Sequence, residues 1–147
     1  MIELSEAVRL DPSYVSKMVS LNPQSVALRY NFGTILLMQS QVPAAIEQLS
    51  EAVRLDNTSL PAHRNLAIAL ALQGRATEST QHFSKAADLS PDDPEIHSDL
   101  GQALLDQNRP EEAIAELTKS LKIRPEDPKT LQRLASAQTR LHRIAAQ

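Results

Sequence analysis

Small residues recur along this chain every 34 positions, each directly after an apolar residue: Gly33, Ala67, Gly101 and Ala135. Three further columns keep the same spacing: Pro23, Asn57, Pro91 and Pro125; Ala45, Ser79 and Ala113; Leu49, Phe83 and Leu117. In addition, residues 4–11 and 49–56 have the same sequence, LSEAVRLD. A fixed period of this length is typical of stacked supersecondary units, each of which buries its apolar face against its neighbours.

Composition and local patterning predict that the repeating unit is helical. Aromatic residues make up 3% of the 147 residues, and the apolar content comes mainly from Leu and Ala, which favour helices. Asp93 and Asp127 each precede a proline, as an N-cap precedes the first helical position, and Asn108 is expected to begin a helix in the same way. The predicted helices are 24–39, 43–55, 59–73, 76–89, 94–107, 110–123 and 128–144. Connections of a few residues predict antiparallel neighbours, and the small columns allow paired helices to approach closely.

These columns resemble the tetratricopeptide repeat family, whose pattern is W-x2-L-G-x2-Y, then A-x3-F, then P over 34 residues. The best copy reads His97-x2-Leu100-Gly101-x2-Leu104, then Ala113-x3-Leu117, then Pro125. Arg29, His63 and His97 stand where the family has Trp. The resemblance implies an all-α fold, a right-handed superhelical solenoid of antiparallel helix pairs with a concave binding face.

The period divides the chain into one solenoid of five segments. These are a partial N-terminal repeat at 1–23, repeats at 24–57, 58–91 and 92–125, and a capping helix at 126–147. Pro12 and Pro23 are 11 residues apart where 34 are expected, which favours a chain truncated from a longer array over an irregular cap. Val8, Val15, Met18 and Val19 are expected core positions. The last helix is expected to present a polar outer face to water, through Gln132, Arg133, Gln138, Arg140, His142 and Arg143.

In the family, the first helix of each repeat lines the concave face. Carried over by position, the predicted peptide-binding groove contains Tyr30, Asn31, Thr34, Met38, Arg64, Asn65, Ile68, Leu72, Glu95, Asp99, Gln102, Asp106, Lys129, Arg133, Ser136 and Arg140. Asn31 and Asn65 share one position, with Asp99 next in the column. The resemblance to repeat-bearing glycosyltransferases implies an asparagine ladder that binds a peptide backbone, and the alternative is that these amides bond locally.

Charge is unevenly distributed along the sequence. Residues 88–116 hold nine acids and one base, a net charge of −8, whereas residues 117–147 hold two acids and seven bases, a net charge of +5. Such blocks either neutralise each other across a helix seam or form a binding surface that favours a partner with a basic segment. A net charge of −3 and only two Tyr argue against nucleic acid as a partner.

The sequence offers no catalytic or metal-binding constellation. With no Cys and three Gly, neither a zinc ribbon nor a Gly-rich phosphate loop can form, so no cofactor is expected. No two of the four His lie three or four residues apart. His63 and His97 are read as half-buried packing residues, with a weak metal site or a pH sensor as the alternative. Glu111, Glu112 and Glu116 are expected to be solvated.

The sequence therefore predicts a non-enzymatic scaffold that binds an extended peptide or a partner helix. The alternatives are a targeting fragment of a larger enzyme, such as a glycosyltransferase, and a self-associating structural array. Co-chaperones of the family hold acidic C-terminal tails with Lys, Asn and Arg, but the corresponding positions here are Tyr30, Thr34, Ser98 and Gln102. No run of 18 apolar residues and no signal-peptide pattern occur, so we expect a cytoplasmic chain without a membrane partner, monomeric or weakly self-associating.

Overall fold

The computed structural model describes residues 12–146, and in that range the chain forms eight α-helices and no strands. In chain order they are α1 (Pro12–Leu21), α2 (Val26–Met38), α3 (Val42–Leu55), α4 (Leu60–Leu72), α5 (Ala76–Leu89), α6 (Pro94–Asp106), α7 (Pro110–Ile123) and α8 (Pro128–Ala145). The predicted helices are confirmed to within two residues at each end. Residues 1–11, which include the expected core residue Val8, lie outside this range.

The chain divides into two compact units, one ending at Gln73 and the other beginning at Gly74. In the first, α2 pairs with α3, and α4 packs on α3. The second pairs α6 with α7, flanked by α5 and α8. The unit boundary falls inside the predicted 58–91 repeat, and the repeat boundaries themselves stay predictions.

Each unit has its own apolar core, which includes members of the repeating columns. The buried cluster of the first unit consists of Leu36, Ala45, Ile46, Leu49, Leu66, Ala69 and Leu70. In the second unit, the buried residues include Phe83, Ile96, Leu100, Leu104, Leu105, Ala113 and Leu117. Val15 and Val19 are buried in α1, as expected, and Met18 is partly buried.

Two glycines set the distance between paired helices. A Cβ on Gly33 would lie 2.6 Å from Cγ of Leu49, and a Cβ on Gly101 would lie 2.6 Å from Cγ of Leu117. No real side chain approaches that closely, so a larger residue would force the helices apart. This confirms the predicted steric role of the small column at Gly33 and Gly101.

The capping prediction is right for two helices and wrong for one. Asp93 accepts hydrogen bonds from the amides of Glu95 and Ile96, and Asp127 accepts one from the amide of Thr130. Asn108, in contrast, has a φ of 56° and closes the turn after α6, while Arg109 is the N-cap of α7 and makes no side-chain cap bond. Asn108 lies one position before the N-cap of α7. It adopts the left-handed backbone conformation that ends α6, so it cannot also cap α7.

Candidate protein-interaction faces

The first unit presents a partly apolar surface along α2 and α4, in which Arg64 is the one charged member. We call it the unit-1 face; it comprises Tyr30, Asn31, Thr34, Met38, Arg64, Asn65, Ile68 and Leu72. Met38 and Leu72, one period apart at the ends of their helices, have 83% and 65% of their surface exposed. The other six residues are partly buried. Exposed large apolar side chains at equivalent positions of neighbouring helices are a feature of binding surfaces.

A short hydrogen-bond chain joins the two helices of this face. The Asn65 amide donates to Oγ1 of Thr34 at 2.9 Å, and the Thr34 hydroxyl donates to the Tyr30 carbonyl at 2.9 Å. One donor of Asn65 is therefore used within the protein. An asparagine side chain has a second donor and an acceptor in addition to this bond, so the predicted ladder stays a prediction.

The second unit presents a charged surface along α6 and α8, and its charges are largely paired with one another. We call it the unit-2 face; it comprises Glu95, Asp99, Gln102, Asp106, Lys129, Arg133, Ser136 and Arg140. Asp99 lies 3.0 Å from Arg133 and 3.7 Å from Lys129. Arg140 donates to the Leu105 carbonyl at 2.7 Å. The acidic and basic blocks thus meet across the seam between α6 and α8.

Two acidic residues of the unit-2 face remain exposed. Glu95 lies 3.7 Å from Arg124, and the two side chains are each about half exposed. Asp106 accepts a hydrogen bond from Gln102 at 2.9 Å. Exposed pairs of this kind contribute little to stability, and both carboxylates lie at the protein surface.

The expectation that α8 turns its arginines to water is wrong for Arg133 and Arg140. Arg133 donates to Oγ of Ser98 as well as to Asp99, and its side chain is only 15% exposed. Both arginines point at α6, where carboxylate, hydroxyl and carbonyl oxygens satisfy them. The surface that α8 leaves open instead includes Leu131 and Ala135.

Sequence reasoning also missed a buried cluster of hydroxyls between α6, α7 and α8. The hydroxyl oxygens of Thr130 and Ser98 lie 2.7 Å apart, and Ser120 donates to the Pro94 carbonyl at 2.7 Å. All three hydroxyl residues are buried. The small polar residues fill the seam without leaving unpaired groups. Ser98 and Thr130 lie 32 residues apart and in different columns of the 34-residue period, so the period did not indicate this contact.

The two repeat-column histidines are buried packing residues, more deeply than expected. His97 is 5% exposed, with Nδ1 2.7 Å from Oε2 of Glu116 and Nε2 2.7 Å from the Pro91 carbonyl. His63 is 2% exposed and bonds the carbonyl of Asn57 at 3.1 Å. Glu116 was expected to be solvated and this is wrong, because it bridges His97 and Lys119. Within residues 12–146, no three His, Cys, Asp or Glu side chains come together as a metal site.

The same ion pair, between an arginine and the glutamate three residues later, occurs at the starts of α5 and α7. Arg75 pairs with Glu78, and 34 residues later Arg109 pairs with Glu112, each at 2.6 Å. The hydrogen bond from each arginine lowers the pKa of its glutamate below the ordinary value. Both glutamates are exposed ion-pair partners. None of the described helices is long and apolar enough to cross a membrane.

The helices pair with a fixed period, and the close Gly–Leu contact recurs in both units. The side chains on the first-helix faces differ between the units. These features define a helical-repeat protein. Two models of the tetratricopeptide repeat match this chain, over residues 30–94 and 70–141. The chain belongs to the tetratricopeptide repeat family. The all-α fold predicted from the sequence is confirmed.

Solved structures show the same fold. A crystal structure of MamA superposes with a TM-score of 0.87 at 20% identity, covering 94% of this chain and 75% of that one. The structure of YrrB, a repeat protein with an unusual peptide-binding site, superposes with a TM-score of 0.76 at 16% identity, covering 86% of this chain and 66% of that one. The first repeat domain of Spaghetti (RPAP3), bound to the HSP90 peptide SRMEEVD, superposes with a TM-score of 0.77 at 18% identity, covering 81% of this chain and 94% of that one. Comparison with curated protein sequences gives no match.

Proposed function

We propose that this chain is a non-enzymatic interaction module that binds an extended peptide or a partner helix along its first-helix faces. The observation that carries the proposal is the exposure of Met38 and Leu72, at equivalent positions of α2 and α4. Burying such side chains against a ligand is favourable by roughly 25 cal/mol for each Å² of apolar surface removed from water. Repeat proteins of this fold that bind peptides, such as YrrB and RPAP3, lend support.

The unit-2 face favours a ligand with basic residues. Glu95 and Asp106 place carboxylates at the surface, each in an exposed pair, and Asp99 is held in the seam by Arg133 and Lys129. The Lys, Asn and Arg that hold acidic tails in co-chaperones have no counterpart at Tyr30, Thr34, Ser98 and Gln102. A preference for acidic C-terminal tails is therefore not part of this proposal. The proposed location of the chain is the cytoplasm.

Selection from a displayed peptide library, followed by titration of the selected peptides, tests the apolar contribution. The double variant Met38→Glu, Leu72→Glu should lose binding while keeping its melting temperature, because both side chains are exposed. Ile123→Glu is the matched control, since Ile123 is an exposed apolar residue at the end of a second helix, α7. Unchanged binding by the double variant would overturn the assignment of the unit-1 face.

A second comparison tests the charge preference with a pair of selected peptides that differ only in carrying Lys or Glu. At low salt the Lys version should bind more tightly, and its advantage should shrink as salt rises, because exposed charges are screened. Glu95→Gln with Asp106→Asn should remove the difference. Equal affinity of the two peptides at low salt contradicts the charge preference and leaves the apolar contribution intact.

A further inference from the structure

Three first helices hold the turn before them through one side chain at a shared position. Arg29, His63 and His97 are spaced by 34, and each bonds the backbone carbonyl of the residue six positions earlier. The distances from the side-chain nitrogen to that carbonyl are 3.2, 3.1 and 2.7 Å. A carbonyl oxygen can only accept a hydrogen bond, so the nitrogen that faces it must carry a hydrogen. In His97 this nitrogen is Nε2.

In α2 and α6 the same side chain also reaches the second helix of its own repeat. Arg29 donates to Oε1 of Gln48 at 2.8 Å, and Nδ1 of His97 lies 2.7 Å from Oε2 of Glu116. Both partners stand 19 residues after the first-helix residue. The position therefore calls for two donors, one for the turn and one for the second helix. A guanidinium supplies both with a permanent charge, whereas a neutral imidazole has a single N–H.

The second contact of Glu116 favours its ionised form as the acceptor for Nδ1. Its other oxygen, Oε1, lies 2.6 Å from Nζ of Lys119, an ammonium group that can only donate. With Glu116 ionised, both ring nitrogens of His97 face acceptors, so both must carry a hydrogen. The ring and the carboxylate are largely buried, and water does not readily replace either partner.

The other charged groups around His97 have partners or surfaces of their own. The Asp93 carboxylate caps the start of α6. On α8, Lys129 and Arg133 contact Asp99. On α5, the charged residues that line a cavity to which His97 does not contribute are Lys85 and Asp88, and the titratable residue at the position equivalent to Glu116 is His82. The charge in contact with the ring is that of Glu116.

We propose that His97 is a proton-dependent link that holds the turn between α5 and α6, with both ring nitrogens protonated in the folded second unit. When the ring loses one proton, the remaining N–H stays with Glu116, because a hydrogen bond to an ionised acceptor is the stronger one. Nε2 then turns a lone pair toward the Pro91 carbonyl, and the two acceptors repel each other. The turn before α6 opens as the pH rises.

The direction of the pH dependence follows from this additional proton. In an unfolded chain, histidine loses its proton at about pH 6.5. The folded unit holds the proton more tightly, so its stabilisation is complete below that pH and decreases as the pH rises above it. The folding equilibrium constant should fall by about tenfold for each pH unit until the folded state also loses the proton.

NMR of the wild-type chain tests the protonation state without any substitution. Long-range ¹H–¹⁵N spectra distinguish protonated from bare ring nitrogens. At about pH 7.5, one unit above the ordinary midpoint, both nitrogens of His97 should be protonated, whereas the exposed His142 should be mainly neutral. The ¹³C resonance of the Pro91 carbonyl should move as His97 titrates. A bare nitrogen on His97 at this pH, or a Pro91 resonance that ignores the titration, would overturn the proposal.

Urea denaturation between about pH 6 and pH 9 tests the effect on stability. In Glu116→Gln the new amide can donate to a bare Nδ1, so a neutral ring satisfies both contacts. His97→Arg restores the permanent charge that Arg29 supplies in the first unit. Relative to both variants, the folding constant of the wild type should fall at least tenfold over this range.

Glu112→Gln is the matched control, since Glu112 lies on the same helix and pairs with Arg109 at its exposed start. It should keep the pH profile of the wild type. The histidines other than His97 are present in every variant, so their titration cancels in the comparison. If Glu116→Gln and the wild type lose stability in parallel as the pH rises, His97 does not link the turn to the proton.

Discussion

Leu117 Cγ lies 2.6 Å from the point where a Cβ on Gly101 would stand, and Leu49 lies at the same distance from that point on Gly33. The two pairs are two periods apart and sit in different compact units. Each leucine is fully buried. The close approach of the paired helices therefore requires a residue without a side chain at these two positions. In the sequence this requirement is visible as a column of small residues.

Gly101→Leu should destabilise the protein. Overpacking of a close-packed seam costs about 1–3 kcal/mol, and the gain in helix propensity on replacing Gly recovers about 1 kcal/mol at most. We expect a lower melting temperature by thermal denaturation. Ala115→Leu, at an exposed position of α7, is the matched control and should change stability by no more than about 0.5 kcal/mol. A melting curve for Gly101→Leu that coincides with the wild type would show that α6 and α7 are not paired here.

Ser40→Gly and Asn108→Gly should stabilise the protein. Ser40, Gly74 and Asn108 are spaced by 34 and have φ values of 60°, 77° and 56°, the left-handed region that glycine adopts without steric cost. We expect each substitution to raise the free energy of unfolding by up to about 1 kcal/mol, measured by urea denaturation. Gly74→Ala is the converse control and should lower it, since its Cβ would meet no neighbouring atom and only backbone strain changes. Destabilisation by Ser40→Gly would contradict this reasoning.

Glu116→Ala should lower stability more than Glu112→Ala. Glu116 accepts a 2.7 Å hydrogen bond from a buried histidine, and its loss leaves Nδ1 of His97 without that partner at a cost of about 1–3 kcal/mol. Glu112 pairs with Arg109 at the exposed start of the same helix, and its removal should leave the melting temperature nearly unchanged. Equal melting temperatures for the two variants would mean that the His97 contact does not stabilise the second unit.

Asp127 should make the second unit sensitive to acid. Hydrogen bonds from the hydroxyl and backbone amide of Thr130 lower the pKa of Asp127 below its ordinary value of 3.8. Its stabilisation is therefore complete above that value and is lost as the pH falls through the lower pKa of the folded state. In Asp127→Asn the cap no longer titrates, so the stability advantage of the wild type over this variant should shrink between about pH 5 and pH 2. Urea denaturation at each pH measures the difference, and a constant difference would contradict the capping role.

Local sequence signals were sufficient for the helices, and partners distant in sequence account for most of the errors. Helix bounds, the Asp93 and Asp127 caps and the close approach at Gly101 depend on short-range patterns or on the period. Glu116 lies 19 residues from His97, and no feature of its own helix indicates that contact. Asp99 and Arg133 lie 34 residues apart in one column, so the period alone is enough to predict that pair.

The roles of Asn31 and Asn65 can be separated by substitution. Asn31→Ala should change stability by no more than about 0.5 kcal/mol, because the residue is on the protein surface. Asn65→Ala should cost about 0.5–1.5 kcal/mol, since it removes the 2.9 Å bond to Thr34. Thr34→Val removes the same bond while leaving the Asn65 amide in place. If the amide binds a peptide backbone, Asn65→Ala should weaken a peptide selected by the chain more than Thr34→Val does. Equal affinities for the two variants would show that Asn65 only joins α2 to α4.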